Sequence, residues 1–317
     1  MLNHKIIFFG TPAFALPTFK ALHQEGFNIV LIVTKPDSFV GRNLKLSPSP
    51  LKLAGQNLNY PITDNLIELK NKIKDLKPDL GVVVAYGKII PQEILEAFPD
   101  GCLNLHPSLL PKYRGASPIT AALLHGDQET GVTIIKLDEK MDHGPIIAQA
   151  TVKIAVNDTG ESLENKLSEL GANLLIEILP DYLSGKIIPQ AQDDQQATFT
   201  KLINKEAGWL DWSHAAEDLE RQIRAFYPWP GSFTEIKLKN KILKIKILAA
   251  QITKDLTAAG DLPPAADEPS ATTVGKFQQK NGRLFVRCGR GNLEILKLQP
   301  AGKKELFAKE FINGYLK

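Results

Sequence analysis

The chain has 317 residues, 43% of them hydrophobic and 23% charged, with a formal net charge of +3 at pH 7. Its length points to about two domains. Its composition excludes a disordered, collagenous or coiled-coil chain, and its longest apolar runs fall far short of the ~18–20 residues that a membrane span needs.

Two cysteines, Cys102 and Cys288, stand far apart with no C-x-x-C pair. Neither a disulfide framework nor structural zinc is expected. The first residues are short and polar before an apolar run begins at Ile6, so no signal peptide or Arg-rich transit segment is expected. A reduced, cytoplasmic setting, a monomer and no metal are the expectations.

In chain order, residues 6–9 read as a buried strand ending at Gly10, and 14–24 as a helix. Residues 28–34 form the next strand, 66–76 a lysine-rich helix, 79–86 a third strand and 102–106 a fourth. Residues 131–137 and 145–154 read as strands, and 163–183 as a long helix. Short, continuously apolar strands alternating with helices predict strands buried on both faces. The fold class is therefore α/β, a doubly wound, Rossmann-like, mostly parallel sheet.

The pattern changes near residue 185. The polar stretch 193–207 breaks the alternation, and the division expected is 1–190, a linker 191–206, and 207–317. The last part opens with a helix over 213–226, with Ser213 as N-cap. Short alternating strands follow at 232–238, 242–249, 283–288 and 293–299, as in a small β-barrel or sandwich. Residues 257–272 read as a surface loop.

Charge is unevenly shared. Residues 1–206 hold 20 Lys and Arg against 23 Asp and Glu, a balance of −3; residues 207–317 hold 18 against 12, a balance of +6. Lys237, Lys239, Lys241, Lys244 and Lys246 alternate with Ile and Leu in one expected hairpin. They form either a solvated strand face or a footprint for a phosphate backbone.

The chemistry concentrates in two segments. Asn104 and His106 are two apart on an expected strand, so they share a face, and Pro107 holds His106 extended and ends the strand. The carboxyl ends of parallel strands are where open α/β sheets build their sites. The second segment crowds Asp138, Glu139, Asp142 and His143 after the strand ending at Leu137. It is either an acidic surface turn or a part of the site. An Asn, a His and an Asp together suit acyl transfer to an amine. The amide can hold a developing oxyanion, the imidazole titrates near neutrality, and the carboxylate can steady its charge or accept a proton. Gly-x-Gly-x-x-Gly, Walker-type, His-Glu-x-x-His and Gly-x-Ser-x-Gly motifs are absent from the sequence.

The residues Phe9-Gly-Thr-Pro-Ala-Phe-Ala15, Gly41-Arg42, Leu46-Ser-Pro-Ser-Pro50 and Val84-Ala-Tyr-Gly-Lys-Ile-Ile-Pro91 form an ordered set with Asn104-Leu-His106, Ser108-Leu-Leu-Pro-Lys-Tyr-Arg-Gly115 and Met141-Asp-His-Gly144. Asp211-Trp212 and Arg221-Gln-Ile-Arg-Ala-Phe-Tyr-Pro-Trp-Pro-Gly231 continue the set. In order and spacing the chain resembles the methionyl-tRNA formyltransferase family along nearly its whole length. The resemblance implies transfer of a formyl group from 10-formyltetrahydrofolate to the amino group of methionyl initiator tRNA. It places the catalytic trio on Asn104, His106 and Asp142. It sets the folate donor against Ser108, Leu109, Leu110 and Pro111, with Lys88, Ile89 and Ile90 beside the pteridine. Arg42 and Lys45 would meet the acceptor end. An OB-like barrel carrying Lys237, Lys239, Lys244 and Lys246 would meet the tRNA body. Asn43-Leu44 ahead of a single Lys45 departs from the adjacent lysines common in the family. Sugar-nucleotide and glycinamide-ribonucleotide formyltransferases share the trio. The Gly41–Pro50 loop and the basic second domain are the features that separate them.

Overall fold

The computed structural model describes residues 4–40, 45–238, 241–253 and 274–316. The chain divides into two compact units. Met1–Pro118, Glu129–Lys153 and Leu163–Lys201 make the first; Ile119–Gln128, Ile154–Ser162 and Leu202–Lys317 make the second.

The first unit is built on a seven-stranded sheet. Its strands are β1 (Lys5–Gly10), β2 (Asn28–Val33), β3 (Ile62–Thr63), β4 (Leu80–Val84), β5 (Cys102–His106), β6 (Glu129–Lys136) and β7 (Ile146–Lys153), in the order β7-β6-β5-β4-β1-β2-β3. Strands β1 to β5 pair in parallel. Ile6, Ile7, Phe8 and Phe9 of β1 are all fully buried, as a strand covered on both faces requires. The last two pairings are antiparallel: β6 runs against β5, and β7 against β6, which returns β7 to the direction of β1–β5. After the buried Ile147, the residues of β7 alternate between half-buried and exposed, as on an edge strand with one face in water.

The first helix begins later than expected. Residues Ala13–Ala15 form a 3-10 turn, and α1 covers Leu16–Gln24. Pro17 occupies its first turn, where a missing N–H costs nothing. Helix α2 (Pro50–Asn57) is additional to the expected elements, although Ser49 caps it by accepting from Lys52 N at 3.2 Å and Pro50 opens it. Helix α3 (Leu66–Leu76) matches its expected span; Asn65 caps it and Leu69 and Ile73 bury its apolar face. The short α4 (Gln92–Leu95) and α5 (Pro118–His125) precede α6, which runs Gly160–Leu183.

The second unit holds α7 (Ala216–Ala225) and an antiparallel sheet of β8 (Ser232–Leu238), β9 (Lys241–Thr253), β10 (Phe277–Lys280), β11 (Arg283–Arg287) and β12 (Asn292–Pro300), ordered β8-β9-β12-β11-β10. The short β13 (Leu306–Phe307) pairs with β12. The register of β9 against β12 shifts at Ile247–Ala249 and again at Ala249–Ala250. Such bulges bend a strand and curl its sheet. The curled sheet is the OB-like half-barrel expected. Leu219 and Ile223 of α7 join Ile245, Ile247, Leu293 and Ile295 in its core, with Phe311 of α8 (Ala308–Phe311).

Ser213 does not cap α7. That helix starts at Ala216 with Ala215 at its N-cap. The Ser213 hydroxyl donates instead to Asp211 Oδ1 at 2.7 Å, and Ala216 N–H is satisfied by the Arg290 carbonyl at 2.8 Å. The expected linker has structure of its own: a 3-10 turn at Asp194–Gln196, and Phe199–Thr200 paired in parallel with Arg114–Gly115. Residues 257–272, Arg42 and Lys239 lie outside the described residues.

Candidate active site

Strands β4 and β5 pair in parallel with Val84 opposite Leu105, so their carboxyl ends open on the same edge of the sheet. From β1 the sheet grows one way to β2 and the other way to β4. The crevice outside such a reversal is where doubly wound sheets take their ligands.

His106 ends β5 and is only 4% exposed. Its Nε2 lies 3.0 Å from the Tyr113 carbonyl. A carbonyl oxygen only accepts, so Nε2 carries the proton in this contact. Its Nδ1 faces Asp142 Oδ1 at 3.6 Å. Burial lowers the His106 pKa below its usual value, against the opposing pull of the Asp142 carboxylate and the Tyr113 carbonyl. Asn104 is half-buried two residues earlier on β5. Among the described residues no hydrogen bond engages its side chain, so its amide is open to a ligand.

Asp142 comes from the loop between β6 and β7. Its backbone lies in the left-handed region at φ 49, which Asp tolerates better than most residues. That conformation turns the carboxylate inward. Oδ2 accepts from Gly115 N–H at 2.7 Å while Oδ1 faces His106. Gly144, two residues on, sits so close to the Lys136 carbonyl that any Cβ would collide with it.

The loop after β5 is held from below. Thr133 of β6 lies opposite His106. Its hydroxyl donates to the Ser108 carbonyl at 2.6 Å and accepts from Leu110 N–H at 3.0 Å. Gln149 of β7 adds bonds to the Leu110 carbonyl and to Thr133, both at 2.9 Å. Ser108 is fully buried and its hydroxyl donates to the Lys112 carbonyl at 2.6 Å, so this side chain shapes the loop. Leu110 is buried, while Leu109 and Pro111 are half-buried. After β4, Lys88 is exposed, Ile89 is 88% exposed and Ile90 is buried. Lys45 is exposed in the first unit.

In the second unit, β8 and β9 set Glu235 opposite Lys244, Phe233 opposite Lys246 and Lys237 opposite Ile242. Lys237, Lys244 and Lys246 are exposed, while Ile236, Ile245 and Ile247 between them are buried. The alternation gives one apolar face and one outward face that carries these lysines together with exposed Ile242 and Glu235. Lys244 is 3.6 Å from Glu235, its acidic neighbour across the pair.

The chain matches the family described as Formyl transferase over residues 4–179, and Formyl transferase, C-terminal domain, over residues 202–316. It is 39% identical over 315 residues to a methionyl-tRNA formyltransferase of Methylococcus capsulatus, spanning 98% of this chain and 97% of that protein. The corresponding protein of Caldanaerobacter subterraneus is 38% identical over 316 residues, again with 98% and 97% covered. The chain belongs to the methionyl-tRNA formyltransferase family. Among solved structures, an N-formyltransferase from Helicobacter canadensis, in complex with folinic acid and dTDP-3-aminofucose, is similar in fold. Its TM-score is 0.67 at 18% identity, with 96% of this chain and 100% of that chain covered.

The turn that carries Asp142 is held by residues to which the sequence assigned no role. Arg114 is 3% exposed and donates through Nε and Nη2 to Gln192 Oε1 at 3.0 and 2.8 Å. Arg114 Nη2 also reaches Asp194 Oδ1 at 2.8 Å, and this contact holds the Asp194 carboxyl below its usual pKa. Gln192 in turn donates to the carbonyls of Asp142 and Gly144 at 2.9 and 2.8 Å. The signal for Arg114 lies inside Lys112-Tyr-Arg-Gly115. Gln192 has none, because an isolated polar residue in a polar stretch carries no periodicity. Among the described residues no group of three or more His, Cys, Asp or Glu is placed to hold a metal ion, and no helix is long and apolar enough to cross a membrane.

Proposed function

We infer that this chain transfers the formyl group of 10-formyltetrahydrofolate to the amino group of methionyl initiator tRNA, giving the formylated initiator used in translation. The observation that carries this reading is the likeness to methionyl-tRNA formyltransferases across both units, at 39% identity over 98% of the chain. The geometry supports a role for each polar group. The amine that attacks must lose a proton, the carbonyl oxygen must gain negative charge, and the leaving nitrogen must be protonated. The Asn104 amide donates to that oxygen at any pH. His106, with Nε2–H committed to Tyr113, presents Nδ1 toward Asp142. A proton received between them is shared by the imidazole and the carboxylate. From there it can pass to the leaving nitrogen. No covalent enzyme intermediate is needed.

The folate donor is assigned to the space between the loops after β4 and β5. Exposed Ile89 offers apolar surface to a flat ring, with Lys88 and Ile90 beside it. Leu109 to Pro111 form the facing wall, shaped by Ser108. Arg42 and Lys45 are assigned to the acceptor end, and Lys237, Lys239, Lys244 and Lys246 to phosphates of the tRNA. One copy of the chain carries Asn104, His106 and Asp142 together, which supports action as a monomer. Cys102 and Cys288 are both free and buried, in keeping with a reduced, cytoplasmic setting.

Purified protein with 10-formyltetrahydrofolate and charged initiator tRNA should yield formylmethionyl-tRNA. The same donor with an amino-sugar nucleotide should yield nothing. Formylation of the sugar alone would sink the tRNA reading.

A further inference from the structure

Gln192 uses its whole side-chain amide. Its oxygen accepts twice from the Arg114 guanidinium, and its nitrogen donates to two carbonyls, those of Asp142 and Gly144. A single flat group thus bridges a buried cation and the turn that carries the Asp142 carboxylate. That turn needs such a brace. Asp142 lies at φ 49, and the Gly144 position admits no side chain. The Asp142 carboxylate therefore owes its place to backbone contacts as much as to Gly115 N–H. Arg114 is itself fixed, with Asp194 as its counter-ion at 2.8 Å and its own N–H bonded to the Thr198 carbonyl at 2.8 Å. A bidentate guanidinium on a side-chain amide leaves that amide one orientation, with nitrogen toward the turn.

We propose that Gln192 is a positioning residue of formyl transfer: seated on Arg114, its amide sets the turn that places the Asp142 carboxylate against His106. The inference rests on the reading of Asp142 as a participant in the chemistry. Gln192 reaches no reacting group itself. It acts on the rate through Asp142, because small displacements of a reacting constellation cost rate out of proportion to their size.

The test uses the full-length enzyme with Gln192→Glu, Gln192→Leu, Asp142→Asn and the Gln192→Glu/Asp142→Asn double variant. Glu keeps the acceptor toward Arg114 but sets an oxygen against the Asp142 and Gly144 carbonyls. Leu removes the bonds on both sides. Initial-rate kinetics with formyl donor and charged tRNA, and thermal melting, are measured on each. Both single Gln192 variants are expected to lose about 10²-fold in kcat, with KM for donor and tRNA within about twofold and a cooperative melt retained. Gln192→Glu should cost nothing further on the Asp142→Asn background, since the two act on one carboxylate. A Gln192→Glu enzyme that melts lower but turns over at the original kcat overturns the proposal and leaves Asp142's role standing. Equal losses in kcat for Gln192→Glu with and without Asp142 also overturn it. Full turnover by Asp142→Asn overturns the reading of Asp142, and the positioning role with it.

Discussion

In the first unit the polar groups of the candidate site are buried or half-buried. His106 is 4% exposed, and Asp142, Arg114 and Gln192 hold one another through bonds of 3.0 Å or less, apart from the 3.6 Å approach of His106 to Asp142. In the second unit Lys237, Lys244 and Lys246 are exposed on strands whose Ile236, Ile245 and Ile247 are buried. On the proposed function the first arrangement acts through a few fixed contacts, where each is strong and each is needed. On the same reading the second acts through summed charge, where any one lysine contributes a screened fraction. A chemical site should therefore fail at one substitution, and a charged face should weaken by degrees.

The sharpest way to break this contrast is Asp142→Asn. We expect kcat to fall by about 10² to 10⁴-fold, with the salt dependence of tRNA binding unchanged; turnover near the original would end the case for a buried catalytic pair. Next comes the triple replacement of Lys237, Lys244 and Lys246 by Ala. The slope of log affinity against log salt should become shallower by about 2–3, near 0.9 for each phosphate that is no longer neutralised. A single replacement should show about a third of that. Filter-binding titrations between low and moderate salt would decide it, and an unchanged slope would mark the face as merely solvated.

A smaller effect is expected from Gly144→Ala. The new Cβ meets the Lys136 carbonyl, so the turn must shift at about 1–3 kcal/mol. Denaturant unfolding would read the loss. The smallest effect concerns pH. Burial lowers the His106 pKa in the folded state, so the unfolded chain binds the proton first as pH falls. Stability from this group is fully present above the unfolded value near 6.5 and declines as pH drops below it. Replacing His106 by Gln should flatten that decline in melting curves taken from pH 8 to pH 5.

Much of the frame is legible because burial writes itself into periodicity. Residues 102–106 and 66–76 have the bounds that their pattern predicts, since each combines a clear apolar pattern with a Pro or Asn punctuation. The direction of β6 and β7 is not legible. Alternation in β7 says that one face is wet, but which neighbour a strand pairs with is settled by the whole sheet. Ser213 misleads because a residue suited to capping is also suited to the Asp211 turn beside it. Of the site, Asn104 and His106 can be placed on one face from spacing alone. Gln192 stands 50 positions from the carbonyl of Asp142 to which it donates, and no local pattern announces a bond of that span.

The left-handed backbone of Asp142 has a consequence for how the sequence can change. A non-glycine residue in that region costs about 1 kcal/mol, and glycine would relieve it. Glycine would also discard the bond from Gly115 N–H to the carboxylate and loosen the unfolded chain, so the strain is offset at the position where it arises. On the proposed function the acid at this turn serves both ends, its Oδ2 holding Gly115 N–H and its Oδ1 facing His106.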